Sequence, residues 1–160
     1  MTYRTKVIAL AVAGIALVID QSTKVWAVSN LGGLRHGLRL PGPVDLTLLL
    51  NHSNAFGFTP VVGNFTRWGL AAANLIVAGT ILFVLVRRRL HLLTALGLAC
   101  VMAGALGNAI DRIWLGAVID FIDATKLGFR WIFNVADATL DVGVALIVAS
   151  SLLHRQAKEA

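Results

Sequence analysis

Residues 92–113 read LLTALGLACVMAGALGNAIDRI, with no charged side chain before Asp111. A hydrocarbon core about 30 Å thick takes about 20 helical residues to cross, and this run has that length. Gly104 and Gly107 sit within it, where a missing side chain lets a second helix approach closely. The stretch therefore reads as a membrane-spanning helix packed against neighbours, and it decides the class of the fold.

Three further apolar stretches of spanning length lie outward from it, at about Val7–Ser29, Thr66–Val86 and Ile132–Leu153. The whole composition agrees. Of 160 residues 58% are hydrophobic and 14% charged, with a mean hydropathy of +0.80, whereas soluble domains are about half apolar and one quarter charged. The expected fold is a membrane all-α bundle of four transmembrane helices with a small extracytoplasmic β element. One domain spans 1–160, helices at about 7–29, 66–86, 92–113 and 132–153, and outer segments at about 30–65 and 114–131. The first outer segment holds all three prolines; in it Val44–Leu50 (VDLTLLL) reads as a short strand, and Gly32-Gly33 and Pro41-Gly42-Pro43 read as turns. The second holds Asp120, Asp123, Lys126 and Arg130.

Arg4 and Lys6 before an apolar run, with Ala27-Val28-Ser29 behind it, resemble a cleavable signal peptide. Asp20 and Lys24, one helical turn apart, argue instead for a retained helix with a polar face. The net charge of +6 does not indicate nucleic acid, because the basic residues sit at the ends of apolar runs, where they act as topology signals and phospholipid headgroup contacts. Basic residues are densest in the short flanks at Arg4 and Lys6, at Arg87-Arg88-Arg89, and at Arg155 and Lys158. Both termini are therefore expected to be cytoplasmic. The four tryptophans, Trp26, Trp68, Trp114 and Trp131, then fall near outer helix ends as an interfacial belt.

That orientation puts seven of the eight acids on the outer side, Asp20, Asp45, Asp111, Asp120, Asp123, Asp137 and Asp141, and leaves only Glu159 inside. Ionised groups are expensive in lipid, so such a cluster points to a polar site at the outer boundary. The catalytic classes can be narrowed by what each needs. His36, His52, His91 and His154 have no zinc-site spacing, so no metal is expected. No GxSxG-like turn exists, and Ser22 and Lys24 point to different helix faces. Cys100 lies in an apolar run and reads as a packed thiol. Carboxylate chemistry remains, with two acids sharing a proton. Asp120, just beyond the third helix, and Asp137, in the first turns of the fourth, fall at one depth. Asp141 is a rival for Asp137, or a partner for Arg112 or Lys24; Asp111 reads as a structural ion pair holding the adjacent loop, and Asp123 as a solvated loop acid.

Gly107-Asn108-Ala109-Ile110-Asp111-Arg112, then Gly116, Val118, Asp120 and Phe121, resemble the GNxxDRxxxGxVxDF signature of bacterial lipoprotein signal peptidases (signal peptidase II). Phe133-Asn134-Val135-Ala136-Asp137 with Gly143 resembles that family's FNxAD motif. Asp20, Thr23 and Lys24 are similar to its DxxTK element, and Asn51, Ala55 and Phe56 match its NxGxAF element in part, with Ser53 where Gly is usual. The resemblance implies an aspartic endopeptidase whose catalytic pair is Asp120 and Asp137. Its substrate would be a prolipoprotein carrying diacylglycerol on the cysteine before which the chain is cut. No cofactor is implied. Asn51, Asn108, Arg112 and Asn134 become candidate substrate-binding or supporting residues, with Asp20, Lys24, Asp111 and Asp141 as structural or interfacial polar groups. One chain carries a complete site, so a monomer suffices, and the outer segment is expected to close over bound substrate. A proton channel would space its acids through the membrane depth, and a non-catalytic lipoprotein-binding scaffold would have only Ser53 in its favour.

Overall fold

The structure is a computed structural model that describes residues 3–34, 36–52, 64–128 and 131–159, the side chains of 155–159 excepted. Ser53, Ala55 and Phe56, with the rest of residues 53–63 in the segment expected to close over substrate, lie outside the described residues, as do Arg35 and Arg130.

Four helices carry the chain: α1 (Tyr3–Leu31), α2 (Asn64–Arg87), α3 (Leu92–Trp114) and α4 (Val135–Glu159). All four are long and apolar enough to cross a membrane. They differ in enclosure. In α3, 61% of the spanning window is buried, against 17–22% in the other three. Helix α3 is thus the central post, with α1, α2 and α4 packed around it. Small residues make this possible: Ala95, Ala99, Ala103, Ala105 and Ala109 are all buried on α3. At the crossing with α4, a β-carbon on Gly97 would stand 2.8 Å from the carbonyl oxygen of Gly143, and one on Gly143 would stand 2.7 Å from that of Gly97. The two backbones touch there, which is the close approach that small residues permit in lipid. Cys100 is buried in α3 as a free thiol.

One end of the bundle gathers the start of α1, the α2–α3 connection and the end of α4. Lys6 donates to the carbonyl of Val86 there, and the His91 and His154 rings meet at 3.8 Å. The opposite end carries a three-stranded antiparallel sheet in the order β1-β2-β3, formed by β1 (Asp45–Asn51), β2 (Val118–Asp123) and β3 (Ile132–Phe133). Asn51 pairs with Val118, Leu49 with Asp120 and Asp45 with Asp123, with an irregularity between Leu46 and Leu49. Ile119 and Phe121 of β2 pack onto Ala27 and Leu31 at the end of α1, joined by Leu46, Leu48 and Val135.

Two features differ from the sequence-based expectation. Ile132 and Phe133 open the fourth apolar run yet form a strand on Ile122 and Asp123, because the helix is not capped until Asn134. Asp120 and Asp123 belong to β2 rather than to a loop. Val118, Ile119, Phe121 and Ile122 supply the β-branched and aromatic character that a half-buried strand needs.

Candidate active site

The first turn of α4 positions the site. A helix leaves its first backbone N–H groups without partners, and a side chain just ahead of it satisfies them. Asn134 is that residue: its Oδ1 accepts from the Asp137 backbone N–H at 3.0 Å. Asp137 reciprocates, its Oδ2 accepting from the Asn134 N–H at 3.3 Å. This is a capping box with aspartate at the third helical position. The Asp137 carboxylate is therefore fixed by the same bonds that start the helix, and it stays partly accessible.

The free amide of Asn134 reaches the second acid. Its Nδ2 donates to Asp120 Oδ1 at 2.6 Å, and Asn51, at the end of β1, donates to Asp120 Oδ2 at 2.9 Å. Asn108 on α3 donates to Asp137 Oδ1 at 2.8 Å. Three asparagines thus orient two carboxylates, with Asn134 bridging them. Asp120 is only 1% exposed. Burial pushes its carboxyl up to about 6, the neighbouring charge of Asp137 adds to the rise, and the hydrogen bonds from Asn51 and Asn134 oppose it. An acid held near 6 beside a second acid is poised for proton exchange near neutral pH.

Behind the pair lies a buried ionic cluster. Lys24 Nζ stands 2.9 Å from Asp20 Oδ2 and 2.8 Å from Asp111 Oδ2, and it donates to Asn108 Oδ1 at 3.2 Å. Asp20 Oδ1 accepts the backbone N–H of Ala136 at 2.8 Å, and Asp111 Oδ2 accepts that of Ile119 at 3.2 Å. Each of these acids therefore grips the residue immediately before a candidate catalytic aspartate. Arg112 Nη1 donates to the Asn108 carbonyl at 3.3 Å, within electrostatic reach of Asp137, Asp120 and Asp111.

The fold and this geometry have counterparts among known proteins. A sequence model described as signal peptidase (SPase) II matches residues 12–153. The lipoprotein signal peptidase of Caulobacter vibrioides is 39% identical over 155 residues, covering 94% of this chain and 90% of that one. That of Syntrophus aciditrophicus is 36% identical over 155 residues, covering 93% and 94%. The chain belongs to the signal peptidase II family. Two solved structures described as bacterial membrane enzymes, obtained by the in meso method, share its fold. One, at 2.3 Å resolution, superposes with a TM-score of 0.80 at 27% identity over 94% of this chain and 91% of its own. The other, at 1.9 Å, gives 0.77 at 26% identity over 91% and 92%. The chain is a multi-pass membrane protease.

Within this signal peptidase II chain the sequence-predicted residues separate cleanly. Asn51, Asn108, Asn134, Asp120 and Asp137 converge, while Asp20, Lys24 and Asp111 form the ionic cluster behind them. Asn108, expected to hold substrate backbone, instead spends its amide on Asp137 and its carbonyl on Lys24 and Asn134. Asp141 does not pair with Arg112 or Lys24. Lys24 is saturated by Asp20 and Asp111, and Asp141 is exposed with no partner among the described residues. Asp123 is not a free loop acid: Thr47 donates to it at 3.1 Å and the Thr125 N–H at 3.0 Å, and hydrogen bonding from Thr125 holds its carboxyl below the usual range.

Three contributors were missed. Gln21 donates to both Asp20 and Asp111. Its place beside Asp20 on α1 was the available signal. Arg67 of α2 donates to the carbonyls of Arg112 at 2.7 Å and Ile113 at 2.6 Å, capping α3 where the chain turns through Gly116 at φ +82°. Lys126 bonds Asp45 at 2.6 Å and the Leu40 carbonyl at 2.9 Å, and this bond to Lys126 keeps the Asp45 carboxyl low. No group of three or more metal-ligating side chains occurs among the described residues.

Proposed function

We propose that this chain is an aspartic endopeptidase that removes signal peptides from prolipoproteins, cutting before a diacylglyceryl-modified cysteine, with Asp120 and Asp137 as its catalytic pair. The observation that carries the reading is the Asn134 bridge, whose side-chain amide holds the carboxylate of Asp120 on a strand and whose backbone N–H holds that of Asp137 at a helix start. Between them the two acids carry one proton and titrate as a pair. The ionised member takes a proton from water as its oxygen adds to the scissile carbonyl carbon. The protonated member hydrogen-bonds the carbonyl oxygen and stabilises the developing charge. Collapse breaks the C–N bond, the leaving nitrogen takes a proton from the pair, and the products are a free α-amine on the lipidated cysteine and a carboxylate on the released peptide.

The remaining assignments follow from the same reading. Residues 1–160 form one peptidase domain in the bacterial cytoplasmic membrane, with both termini cytoplasmic and the sheet end outside. The exposed tryptophans Trp26, Trp68, Trp114 and Trp131 support an interfacial belt in contact with phospholipid. The chain acts as a monomer, because both acids and all three orienting asparagines come from one copy. Asp20, Asp111, Asp120 and Asp137 gather at one end, which disfavours a proton relay through the membrane.

The test follows conversion of a diacylglyceryl-modified prolipoprotein to its mature form by gel shift, with wild type, Asp120→Asn and Asp137→Asn at equal membrane levels. Wild type is expected to cut, and each variant to lose nearly all activity. Cutting by both variants would refute the pair.

A further inference from the structure

Asp141 is an acid with no use in the site described. It lies in a spanning segment of α4, it is exposed, and it has no hydrogen bond or ion pair to any described residue. An unpaired ionisable group at that depth is costly unless it faces water or a polar partner. The contacts of α4 show which way it faces. Ala136, Leu140, Gly143 and Ile147 meet α3 at Gly104 and Gly97, and they define one side of the helix. Asp137 and Asp141, four residues apart, share the flank beside that side; Asp137 reaches Asn108 of α3 from it, while Asp141 is exposed. Asp141 therefore continues the surface that Asp137 presents, about 6 Å further along the axis, away from the sheet end.

Resting on the protease reading, the geometry points to Asp141 as a specificity-determining residue for the signal-peptide side of the substrate. The substrate's membrane-embedded half is its signal peptide, so a chain cut at Asp137 runs past Asp141 on that side. An extended chain advances about 3.3 Å per residue, which brings the second residue before the scissile bond level with Asp141. A carboxylate there accepts a hydrogen bond, and the side chains small enough to offer one are serine and threonine. Asp141 selects a hydroxyl at that position over an isosteric apolar group, since a carboxylate that bound substrate covers without offering it a donor is penalised.

The experiment uses full-length enzyme in proteoliposomes and synthetic diacylglyceryl-modified substrates that differ only in the second residue before the cysteine, serine against alanine and threonine against valine. In wild type, kcat/KM should favour the hydroxyl member by about tenfold. In Asp141→Val the ratio should fall to about one, and Asp141→Asn, which keeps an acceptor oxygen, should restore part of it. Asp141→Asn also carries the comparison should the valine variant fail to insert. A ratio near one in wild type, or one unchanged in both variants, overturns the assignment while leaving the protease reading intact. Wild type that cuts no member of the panel overturns both.

Discussion

Gly104→Ala tests whether the helix contact beneath the site sets the rate. The new β-carbon would stand 2.4 Å from the backbone oxygen of Ala136 and 2.7 Å from Leu140 Cγ. Ordinary contact begins near 3.4 Å, and the oxygen belongs to a helix backbone that has no rotamer to change. Helix α4 must therefore retreat by about 1 Å at Ala136, the residue immediately before Asp137. The Asn108–Asp137 bond at 2.8 Å crosses the gap that opens, and the Asn134–Asp120 bond at 2.6 Å is made by the cap that moves with α4; a displacement of that size carries either past hydrogen-bonding distance. A 1 Å misplacement of catalytic groups costs on the order of a hundredfold in rate, and the overpacking costs about 1–3 kcal/mol in stability. The assay is kcat on a lipidated prolipoprotein in proteoliposomes, normalised to inserted protein, beside Gly79→Ala, whose β-carbon meets nothing within 4 Å. Gly79→Ala should match wild type. Retention of activity by Gly104→Ala within about threefold of wild type would refute the claim that α3–α4 contact places the pair.

Asn51→Leu removes a hydrogen bond that favours ionised Asp120, so the carboxyl should rise above about 6. If catalysis needs the shared proton, the pH at which activity falls on the alkaline side should move upward, and a pH–rate profile that stays put or moves down contradicts this. Lys24→Met leaves Asp20 and Asp111 buried without their cation; removing one partner of such a cluster costs about 3–5 kcal/mol, read as a lower thermal midpoint in detergent or lost accumulation. Arg67→Lys keeps the charge but not the planar fork that spans two carbonyls. A lower thermal midpoint is expected, and an unchanged one would show the cap to be dispensable.

Much of this arrangement was legible because lipid writes clearly in sequence. The four spanning helices follow from apolar run length, and the gathering of acids at one end of the bundle follows from charge placement. The Val44–Leu50 strand and the turn at Gly32-Gly33 were also readable, since their signals are local. What escaped was relational. Ile132-Phe133 extends an apolar run, and only the cap at Asn134 and the pairing with β2 reveal that the helix starts later. Arg67 looks like one more interfacial cation, because nothing in its neighbourhood says that the end of α3 comes within its reach. Asn108 shares a helix face with Arg112 in any reading. Whether its amide turns outward to substrate or inward to Asp137 depends on Lys24, a residue 84 positions earlier. Asp141 was misassigned for a similar reason: its candidate partner Lys24 was already taken by Asp20 and Asp111.

The buried ionic cluster has a purpose that stability alone does not explain. Ion pairs taken out of water rarely outperform well-packed apolar groups, because desolvation offsets their attraction. Here the two acids of the cluster spend an oxygen each on backbone: Asp20 on Ala136, Asp111 on Ile119. Those N–H groups belong to the residues just ahead of Asp137 and Asp120. A strand and a helix start, far apart in sequence, are thereby tied to one lysine on α1. An apolar replacement could fill the same volume but could not accept those two bonds, and each element would then be free to slide on its neighbours. The cluster fixes the spacing of the proposed catalytic pair to within the tolerance that proton transfer requires; the asparagines pin the Asp137 backbone through Asn134 but leave those of Ala136 and Ile119 to the two acids. By this reasoning Asp20→Asn and Asp111→Asn, which keep an acceptor oxygen, should preserve more activity than Asp20→Leu and Asp111→Leu at equal membrane levels. Equal losses in the two sets would mean that the charge, and not the backbone grip, is what the site needs.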